Sequence, residues 1–334
     1  MYLKLFDDIL FVNDKIPFYN FISISNKCNA NCKFCDIHEK KEKKTSVNIS
    51  CLIKDLKNNG AKYVHFTGGG EPFANPEIFS YLEDATKNGL NIVITTNGFF
   101  LNHDTINKFK NYNIKAIFFS IDSHDSKIHD KTRNVNGLFY RATQAINEIK
   151  ISYPYIKIVI NHVLNHDNIS QLSELIKMKN EVNYDYLNMI IVKECPEYYF
   201  SLKQIKEYNS SLQKIKALLK EYDVQLLYDN ICFFENDCYL NDGTDLRKNN
   251  VPCRVLDYCS FIDCVSGEVY PCDCSIHRDF NYYSIGNIKK MNIKEIFNSA
   301  KAENLRKELL GYSLCKGKCD YANMYLNKMI NDRK

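Results

Sequence analysis

An α/β fold built from repeated βα units is the architecture that the sequence predicts. Between Phe21 and Val192, short apolar segments rich in β-branched residues alternate with amphipathic stretches of helical period. This pattern is typical of parallel strands connected by helices. Six such repeats are present, and a region rich in Cys, Tyr and Asn begins after about Asp229. We therefore expect a partial (β/α)6 TIM-like barrel followed by a small cysteine-rich domain.

The six predicted strands are short and rich in Ile, Val, Phe and Tyr. They are Phe21–Ser25, Tyr63–Thr67, Asn91–Thr95, Ala116–Ser120, Lys157–Val163 and Tyr186–Ile191. In a parallel barrel the carboxyl ends of the strands meet at one rim, where barrel enzymes carry their chemistry. Polar residues that directly follow these strands are therefore candidates for a functional site.

Three of the predicted helices have recognisable first residues. Asn75, with Pro76 and Glu77, begins a helix that Gly89 ends, and its apolar face includes Ile78, Leu82 and Ala85. Asn168 begins a second helix, with Ile169, Leu172 and Ile176 facing inward. Ser201 and Gln204 form a capping box before a long helix whose apolar stripe consists of Ile205, Leu212, Ile215 and Leu219.

The domain boundaries follow from this change of pattern. We expect residues 1–200 to form the partial barrel, residues 201–251 a helix and linker, and residues 252–334 the cysteine-rich domain. A chain of 334 residues with 45% hydrophobic residues is long enough for one large unit and an appendage.

Composition and charge exclude several classes of partner. The net charge of +4 comes from Lys and Arg interleaved with acidic residues, so we expect no nucleic-acid partner. No apolar run approaches the length that spans a bilayer, and Met1–Phe18 lacks the pattern of a secretory signal. We expect a cytoplasmic protein without a membrane partner, in which 14 cysteines serve metal binding or catalysis rather than disulfides.

Three of these cysteines lie in one loop directly after the first strand. Cys28, Cys32 and Cys35 have the spacing CxxxCxxC. A cubane 4Fe-4S cluster normally takes four thiolates, so a loop that supplies three leaves one iron open to an exchangeable ligand. Spacing alone also allows a zinc site or merely reactive cysteines.

Further polar motifs follow the second, third and fourth strands. They are Thr67-Gly68-Gly69-Gly70-Glu71-Pro72, Thr95-Thr96-Asn97-Gly98 and Ser120-Ile121-Asp122-Ser123, with Arg133 in His129-Asp-Lys-Thr-Arg-Asn beyond them. Glycines allow the backbone to approach a ligand closely. Taken singly, the glycine run also suits a tight βα turn, and a lone Ser or Arg is usually a surface group.

Together, these motifs resemble those of the radical S-adenosylmethionine (SAM) superfamily. The resemblance includes Phe34, the aromatic residue just before the third cysteine. It implies that Cys28, Cys32 and Cys35 bind a catalytic 4Fe-4S cluster. It further implies SAM contacts from Gly69, Gly70, Glu71, Thr96, Asn97, Ser120, Asp122 and Arg133. Glu71 and its glycines would face the SAM amino group, and Arg133, with Ser120 as its companion, the SAM carboxylate.

The carboxy-terminal cysteines form a second group. Cys253, Cys272, Cys315 and Cys319 have the spacing C-x18-C-x42-C-x3-C, and residues 267–272 suggest a hairpin that ends at a ligand. This region resembles the SPASM/twitch extension of the superfamily, which implies an auxiliary 4Fe-4S cluster. We expect one such cluster; Cys259, Cys264 and Cys274 leave a second open, and a structural zinc ion has the same ligand requirements.

The remaining cysteines carry weaker predictions. Cys51, Cys232 and Cys238 are expected to be small buried hydrophobic residues. Cys195 follows the sixth strand at the rim, where a thiol could return a hydrogen atom to a substrate radical.

The resemblance implies that one electron splits SAM into methionine and a 5′-deoxyadenosyl radical, which abstracts hydrogen from the substrate. We expect an oxygen-sensitive enzyme that modifies a peptide or protein side chain by thioether formation, epimerisation or oxidation. A flavodoxin or ferredoxin-type protein would donate the electron, and no separate peptide-recognition domain is expected before the first strand. The alternatives are a small-molecule substrate, for a dehydrogenase or epimerase of the carbohydrate and aminoglycoside type, and a non-enzymatic zinc-binding protein.

Overall fold

Six parallel strands with helical connections form the centre of the molecule. The computed structural model describes residues 16–35, 37, 45, 47–192, 195–227, 231, 234, 252–273 and 283–310. The central strands are β1 (Tyr19–Ser23), β2 (Tyr63–Phe66), β3 (Asn91–Thr96), β4 (Ile114–Ser120), β5 (Lys157–Leu164) and β6 (Tyr186–Ile191). Each pairs in parallel with the next, which confirms the predicted α/β class.

The helices that connect these strands begin near the predicted residues. They are α1 (Ile49–Asn58), α2 (Ile78–Lys87), α3 (His103–Asn107), α4 (Ser126–Arg133), α5 (Leu138–Ser152), α6 (Leu172–Lys177) and α7 (Leu202–Glu221). The capping box of Ser201 and Gln204 at the start of α7 is confirmed. Its predicted stripe is partly wrong, because the buried residues of α7 are Tyr208, Leu212, Ile215 and Leu218, while Ile205 and Leu219 are half-buried.

The central sheet is curved, and its two faces differ in chemistry. The rings of His65 on β2 and Phe118 on β4 lie 5.3 Å apart, although strands two positions apart in a flat sheet are separated by about 9.5 Å. Such a close contact indicates that their face is concave. By strand register, this face also carries the polar residues Thr95, Ser120, Asn161 and Asn188. The opposite face is apolar, with Ile94, Ile117, Phe119, Ile158 and Ile160 all fully buried.

A carboxy-terminal hairpin extends the same sheet. Strand β8 (Cys259–Asp263) pairs in parallel with β1 and in antiparallel fashion with β9 (Glu268–Tyr270). The predicted turn is present: Gly267 adopts a φ of +86° and its N–H donates to the carbonyl of Asp263 across 2.6 Å. Helices α8 (Val255–Tyr258), α9 (Ile293–Phe297) and α10 (Ala300–Leu310) complete this region. Because β8 and β1 share one sheet, the domain boundary near residue 252 stays a prediction.

The edges of the sheet are formed by its shortest strands. Among the described residues, the strand order is β10-β9-β8-β1-β2-β3-β4-β5-β6-β7, where β7 is Gln225–Leu226 and β10 is Gly286–Asn287. None of the helices in the described ranges combines the length and apolar character that crossing a membrane requires.

Candidate cofactor site

The cysteine loop follows β1 at the carboxyl end of the sheet and packs against the last turn of α4. The backbone N–H groups of Asn31 and Lys33 donate hydrogen bonds of 3.2 Å to the carbonyls of Arg133 and Thr132. In this loop Cys32 is buried, and Cys28 and Cys35 are half-buried. Helix α4 thus fixes the backbone that presents the three thiols.

The electrostatic surroundings of the thiols suit a cationic ligand. Burial, with smaller contributions from the nearby Glu71, Cys32 and Cys35, raises the pKa of Cys28 to about 11 against the lowering effect of the Ala30 N–H. Burial also raises the pKa of Cys32, whereas Arg133 lowers it. Three soft sulfur donors close enough to repel one another as thiolates fit an iron–sulfur cluster. Within the described ranges no three His, Cys, Asp or Glu side chains are already grouped as a metal site, so this fit is one of donor chemistry.

The glycine turn after β2 lies directly against the cysteine loop. A Cβ atom on Gly70 would lie 2.2 Å from the carbonyl oxygen of Lys27, and one on Gly69 would lie 2.0 Å from the Ser23 hydroxyl. The backbone N–H of Glu71 donates to the same Lys27 carbonyl across 2.9 Å. Only glycine permits this approach.

Glu71 joins the second and third strand ends into one network. Its buried carboxylate accepts hydrogen bonds from the Thr96 hydroxyl at 2.6 Å, the Asn97 backbone N–H at 2.7 Å and the Phe73 N–H at 3.3 Å. Burial raises the pKa of Glu71 to about 7 against the lowering effect of these donors. The Asn97 side chain continues the network by donating to Asn29 in the cysteine loop across 2.9 Å.

One buried side-chain nitrogen in this network has no hydrogen-bond acceptor among the described residues. The side-chain nitrogen Nδ2 of Asn29 is buried, and no hydrogen-bond acceptor meets it in the part of the chain that the structure describes. A buried donor without a partner costs free energy, so this position fits a polar cofactor that supplies an acceptor.

A second charged group lies on the other side of the cysteine loop. Arg133 donates from Nε to the Asp122 carboxylate across 2.8 Å, and both side chains are buried. Its Nη1 lies 3.8 Å from the sulfur of Cys32, and its guanidinium carbon lies 5.9 Å from the centre of the Phe34 ring. The structure therefore brings Arg133 and Phe34 to the cysteine loop, with Asp122 bonded to Arg133.

Ser120 and Cys195 complete the rim. Ser120 ends β4 on the concave face; within the described residues the side-chain partner of Arg133 is Asp122 rather than Ser120. The thiol of Cys195 lies 3.5 Å from a carboxylate oxygen of Glu197 and 4.0 Å from the carbonyl of Lys33 in the cysteine loop. Burial and Glu197 raise the pKa of Cys195 to about 11.

The carboxy-terminal cysteines are described only in part. Cys272 follows β9 and is buried, and Cys253 precedes α8 and is half-buried. Cys315 and Cys319 lie outside the described residues, as do Cys232, Cys238 and Cys274, so the four-ligand auxiliary site stays a prediction. Cys259 and Cys264, at the two ends of β8, are buried, whereas Cys51 is exposed, which contradicts its predicted burial.

Sequence reasoning missed two contributors, Asn29 and His129. Asn29 directly follows Cys28 in the cysteine loop, and His129 begins the segment that contains Arg133. His129 precedes Arg133 by four residues, the spacing that puts two side chains on one face of a helix. That spacing was the available signal.

Comparisons with known proteins agree with this arrangement. Residues 22–178 match the family model described as the radical SAM superfamily, and residues 253–320 match that of the SPASM iron–sulfur cluster-binding domain. A tungsten-containing aldehyde ferredoxin oxidoreductase cofactor-modifying protein from Pyrococcus furiosus is 22% identical over 308 residues, which cover 84% of this chain and 81% of that protein.

Two further comparisons cover most of the chain. A cysteine-type anaerobic sulfatase-maturating enzyme from Clostridium perfringens is 24% identical over 331 residues, with 88% of this chain and 86% of that enzyme covered. The solved structure of native anSMEcpe with bound AdoMet and Kp18Cys peptide superposes with a TM-score of 0.67 at 20% identity, over 92% of this chain and 88% of that chain. At this identity the superposition shows a shared fold.

Proposed function

Because the chain belongs to the radical SAM superfamily and carries a SPASM domain, we propose that it removes a hydrogen atom from a carbon atom of an amino-acid residue in a peptide or protein and so modifies that residue. Membership makes the chain an enzyme whose cofactors are a catalytic 4Fe-4S cluster, SAM and auxiliary iron–sulfur. The peptide substrate and the residue roles below are the proposed part.

Each group of rim residues has its own task in this proposal. Cys28, Cys32 and Cys35 hold the catalytic cluster, whose chemistry with bound SAM is reductive cleavage of the cofactor followed by hydrogen abstraction. Arg133 places a positive charge beside Cys32, which favours the thiolate form of that ligand. Glu71 fixes the positions of Thr96 and Asn97 and, through Asn97, that of the cysteine loop.

The concave face supports a substrate with many neutral hydrogen-bonding groups. Near the rim this face carries the half-buried Thr95, Ser120 and Asn161, with the buried Asn188 donating to Asn161 across 2.7 Å. Hydroxyl and carboxamide groups both donate and accept hydrogen bonds, as peptide groups do. None of these four side chains bears a charge, so the wall they form suits a peptide backbone better than a charged metabolite.

The relatives add support for a peptide substrate. The sulfatase-maturating enzyme and the peptide-bound anSMEcpe structure each cover most of this chain. The proposal also includes one auxiliary 4Fe-4S cluster, bound by Cys253, Cys272, Cys315 and Cys319. It further includes a flavodoxin or ferredoxin-type electron donor and a cytoplasmic location. The choice among thioether formation, epimerisation and oxidation belongs to the substrate experiment.

The observation that carries the proposal is that the cysteine loop contacts both the glycine turn, through Lys27, and Arg133, through Cys32, at one rim. Anaerobic incubation of the reconstituted protein with SAM and dithionite is expected to give 5′-deoxyadenosine. The Cys32→Ala variant is expected to give none, whereas Cys51→Ala, which removes an exposed thiol on α1, is expected to keep wild-type product. Product formation by Cys32→Ala contradicts the assignment, and colourless protein that holds zinc and no iron contradicts the proposal altogether.

The peptide part has its own test. A short peptide encoded beside the gene, synthesised with residues deuterated both at the α-carbon and in the side chain, is added to the same assay. Transfer of one deuterium to 5′-deoxyadenosine, measured by mass spectrometry, is the expected result. The peptide assignment is contradicted if every such peptide gives unlabelled 5′-deoxyadenosine while a deuterated sugar gives labelled product.

A further inference from the structure

Helix α4 holds Asp122, which lies four residues before the helix begins, at two points. His129 and Arg133 lie one helical turn apart, and both are buried. The backbone N–H of Asp122 donates to Nδ1 of His129 across 3.2 Å, and the Asp122 carboxylate accepts from Nε of Arg133 across 2.8 Å. The same helix therefore binds both the backbone and the side chain of Asp122.

The other polar atoms of Asp122 are also bonded. Its second carboxylate oxygen accepts from the N–H of Val163 across 3.2 Å, and its backbone carbonyl accepts from the side chain of Asn168 across 3.0 Å. Asp122 is thus held by four hydrogen bonds, two to its carboxylate and two to its backbone, and this restricts the direction of the guanidinium that it binds. Because the guanidinium is planar and rigid, one fixed partner at Nε restricts the directions of its other N–H groups.

The role of His129 follows from the direction of its hydrogen bond. A backbone N–H can only donate, so Nδ1 of His129 must carry a lone pair, and the neutral ring then has its proton on Nε2. Burial lowers the pKa of His129 to about 4, which keeps the ring in this neutral form. Without the ring acceptor, the N–H of Asp122 is left buried without the partner it has here.

Arg133 is the residue whose position depends on these bonds to Asp122. Its Nε donates to Asp122, while Nη1 lies 3.8 Å from the Cys32 sulfur. A shift of Asp122 would move the guanidinium relative to the cysteine loop.

We propose that His129 is a positioning residue that sets the direction of Arg133 toward the SAM carboxylate through its hydrogen bond to the backbone of Asp122. This inference rests on the proposed function, since it concerns the same SAM site. In this proposal His129 acts through Asp122 and Arg133 and does not itself bind cofactor or substrate.

Two substitutions separate the hydrogen bond from packing. His129→Phe keeps a ring of similar shape and loses the acceptor, whereas His129→Asn loses the ring and keeps an acceptor oxygen near the position of Nδ1. SAM affinity is measured by equilibrium dialysis on the reconstituted holoprotein, and the SAM-dependent change in the EPR spectrum of the reduced cluster is followed in parallel. We expect His129→Phe to bind SAM about tenfold more weakly, the usual effect of losing one hydrogen bond.

The order of the two variants decides the question. If His129 serves packing alone, His129→Asn should bind SAM more weakly than His129→Phe. If it positions Arg133, His129→Asn should bind SAM more tightly than His129→Phe, within about threefold of wild type. His65→Phe is the matched control: His65 is equally buried but bonds Tyr19 and Thr95, so its loss is expected to lower stability and leave SAM affinity unchanged.

Each outcome has a stated meaning. Equal SAM affinity of His129→Phe and wild type, or the reverse order of Phe and Asn, overturns the inference. If His129→Phe does not fold, His129→Ala and His129→Asn are compared, since both lack the ring and only Asn keeps the acceptor; equal affinities then overturn it. Wild-type protein that neither binds nor cleaves SAM overturns the proposed function first, and the inference with it.

Discussion

The hydroxyl of Ser260 donates a 2.7 Å hydrogen bond to the side-chain oxygen of Asn20, a residue 240 positions earlier in the chain. Both residues are fully buried and lie opposite each other on the paired strands β8 and β1. The side-chain nitrogen of Asn20 also donates to the carbonyl of Pro17 across 3.0 Å. The carboxy-terminal hairpin is thus attached to the first barrel strand by a side-chain bond as well as by the strand ladder.

Ser260→Ala is therefore expected to lower the free energy of unfolding by about 1–3 kcal/mol, the cost of leaving a buried acceptor without its donor. Urea unfolding followed by circular dichroism measures this change. Ser210→Ala serves as the control, because Ser210 is an exposed helix residue that bonds the carbonyl of Lys206, and its change should stay within about 0.5 kcal/mol. Equal effects of the two substitutions would show that the buried bond adds nothing.

Gly70→Ala is expected to disturb the cysteine loop, because the new Cβ would lie 2.2 Å from the carbonyl oxygen of Lys27. Overpacking of this kind typically costs about 1–3 kcal/mol, and we expect the variant to retain little iron after reconstitution. Gly137→Ala is the control: its φ of +74° is strained for alanine, but the new Cβ meets nothing within 4 Å. It should lose about 1–2 kcal/mol and keep its iron, measured by metal analysis and thermal unfolding. Full iron in Gly70→Ala would contradict the close approach of the two loops.

Because its side chain is buried, His65 is expected to make the folded protein less stable in acid. Burial lowers the pKa of His65 to about 3 in the folded protein, well below its value of about 6.5 in an unfolded chain. A lowered pKa contributes stability that is present above pH 6.5 and is lost as the pH falls toward 3. Between pH 7 and pH 5, the wild type should lose about 2 kcal/mol more than His65→Phe, which has no group to titrate there. Parallel pH dependence of the two proteins in urea unfolding would contradict the neutral buried ring.

Cys195 is expected to react slowly with alkylating agents. Burial and Glu197 raise the pKa of its thiol to about 11, and the thiolate is the reactive form. At pH 8 iodoacetamide should label Cys195 about a hundredfold more slowly in the native protein than in urea, while the exposed Cys51 is labelled first. Peptide mass spectrometry measures the labelling rates of Cys195 and Cys51. Equal rates for native and unfolded Cys195 would contradict the raised pKa, which keeps the thiol in the S–H form that a hydrogen-atom donor needs.

The central strands could be predicted from sequence because their signal is local. Tyr186–Ile191 was predicted to the residue, and β1 lies two residues before its predicted position. That shift has a physical cause: Ile24 and Ser25 leave the sheet because the Ser25 hydroxyl accepts from the N–H of Lys27 and turns the chain. Residues that follow strand ends meet at one rim in any parallel sheet, so the contact of Gly70 and Glu71 with the cysteine loop was also within reach.

What escaped prediction depends on distance along the chain. The pairing of β8 with β1 joins segments 240 positions apart, and no local period reports such a register. The spacing of His129 and Arg133 places both on one face of α4, but it does not say that one binds the backbone and the other the carboxylate of Asp122. Similarly, nothing in the cysteine motif marks Asn29 as the partner of Asn97.

The two edge strands of the sheet, β7 and β10, bear on whether the protein aggregates at high concentration. Unpaired strand edges are templates on which a second chain can add by backbone hydrogen bonds, which leads to aggregation. Here β7 and β10 are only two residues long, so among the described residues the sheet presents little backbone for such growth. Concentrated samples, as spectroscopy of iron proteins requires, should therefore resist polymerisation through these margins.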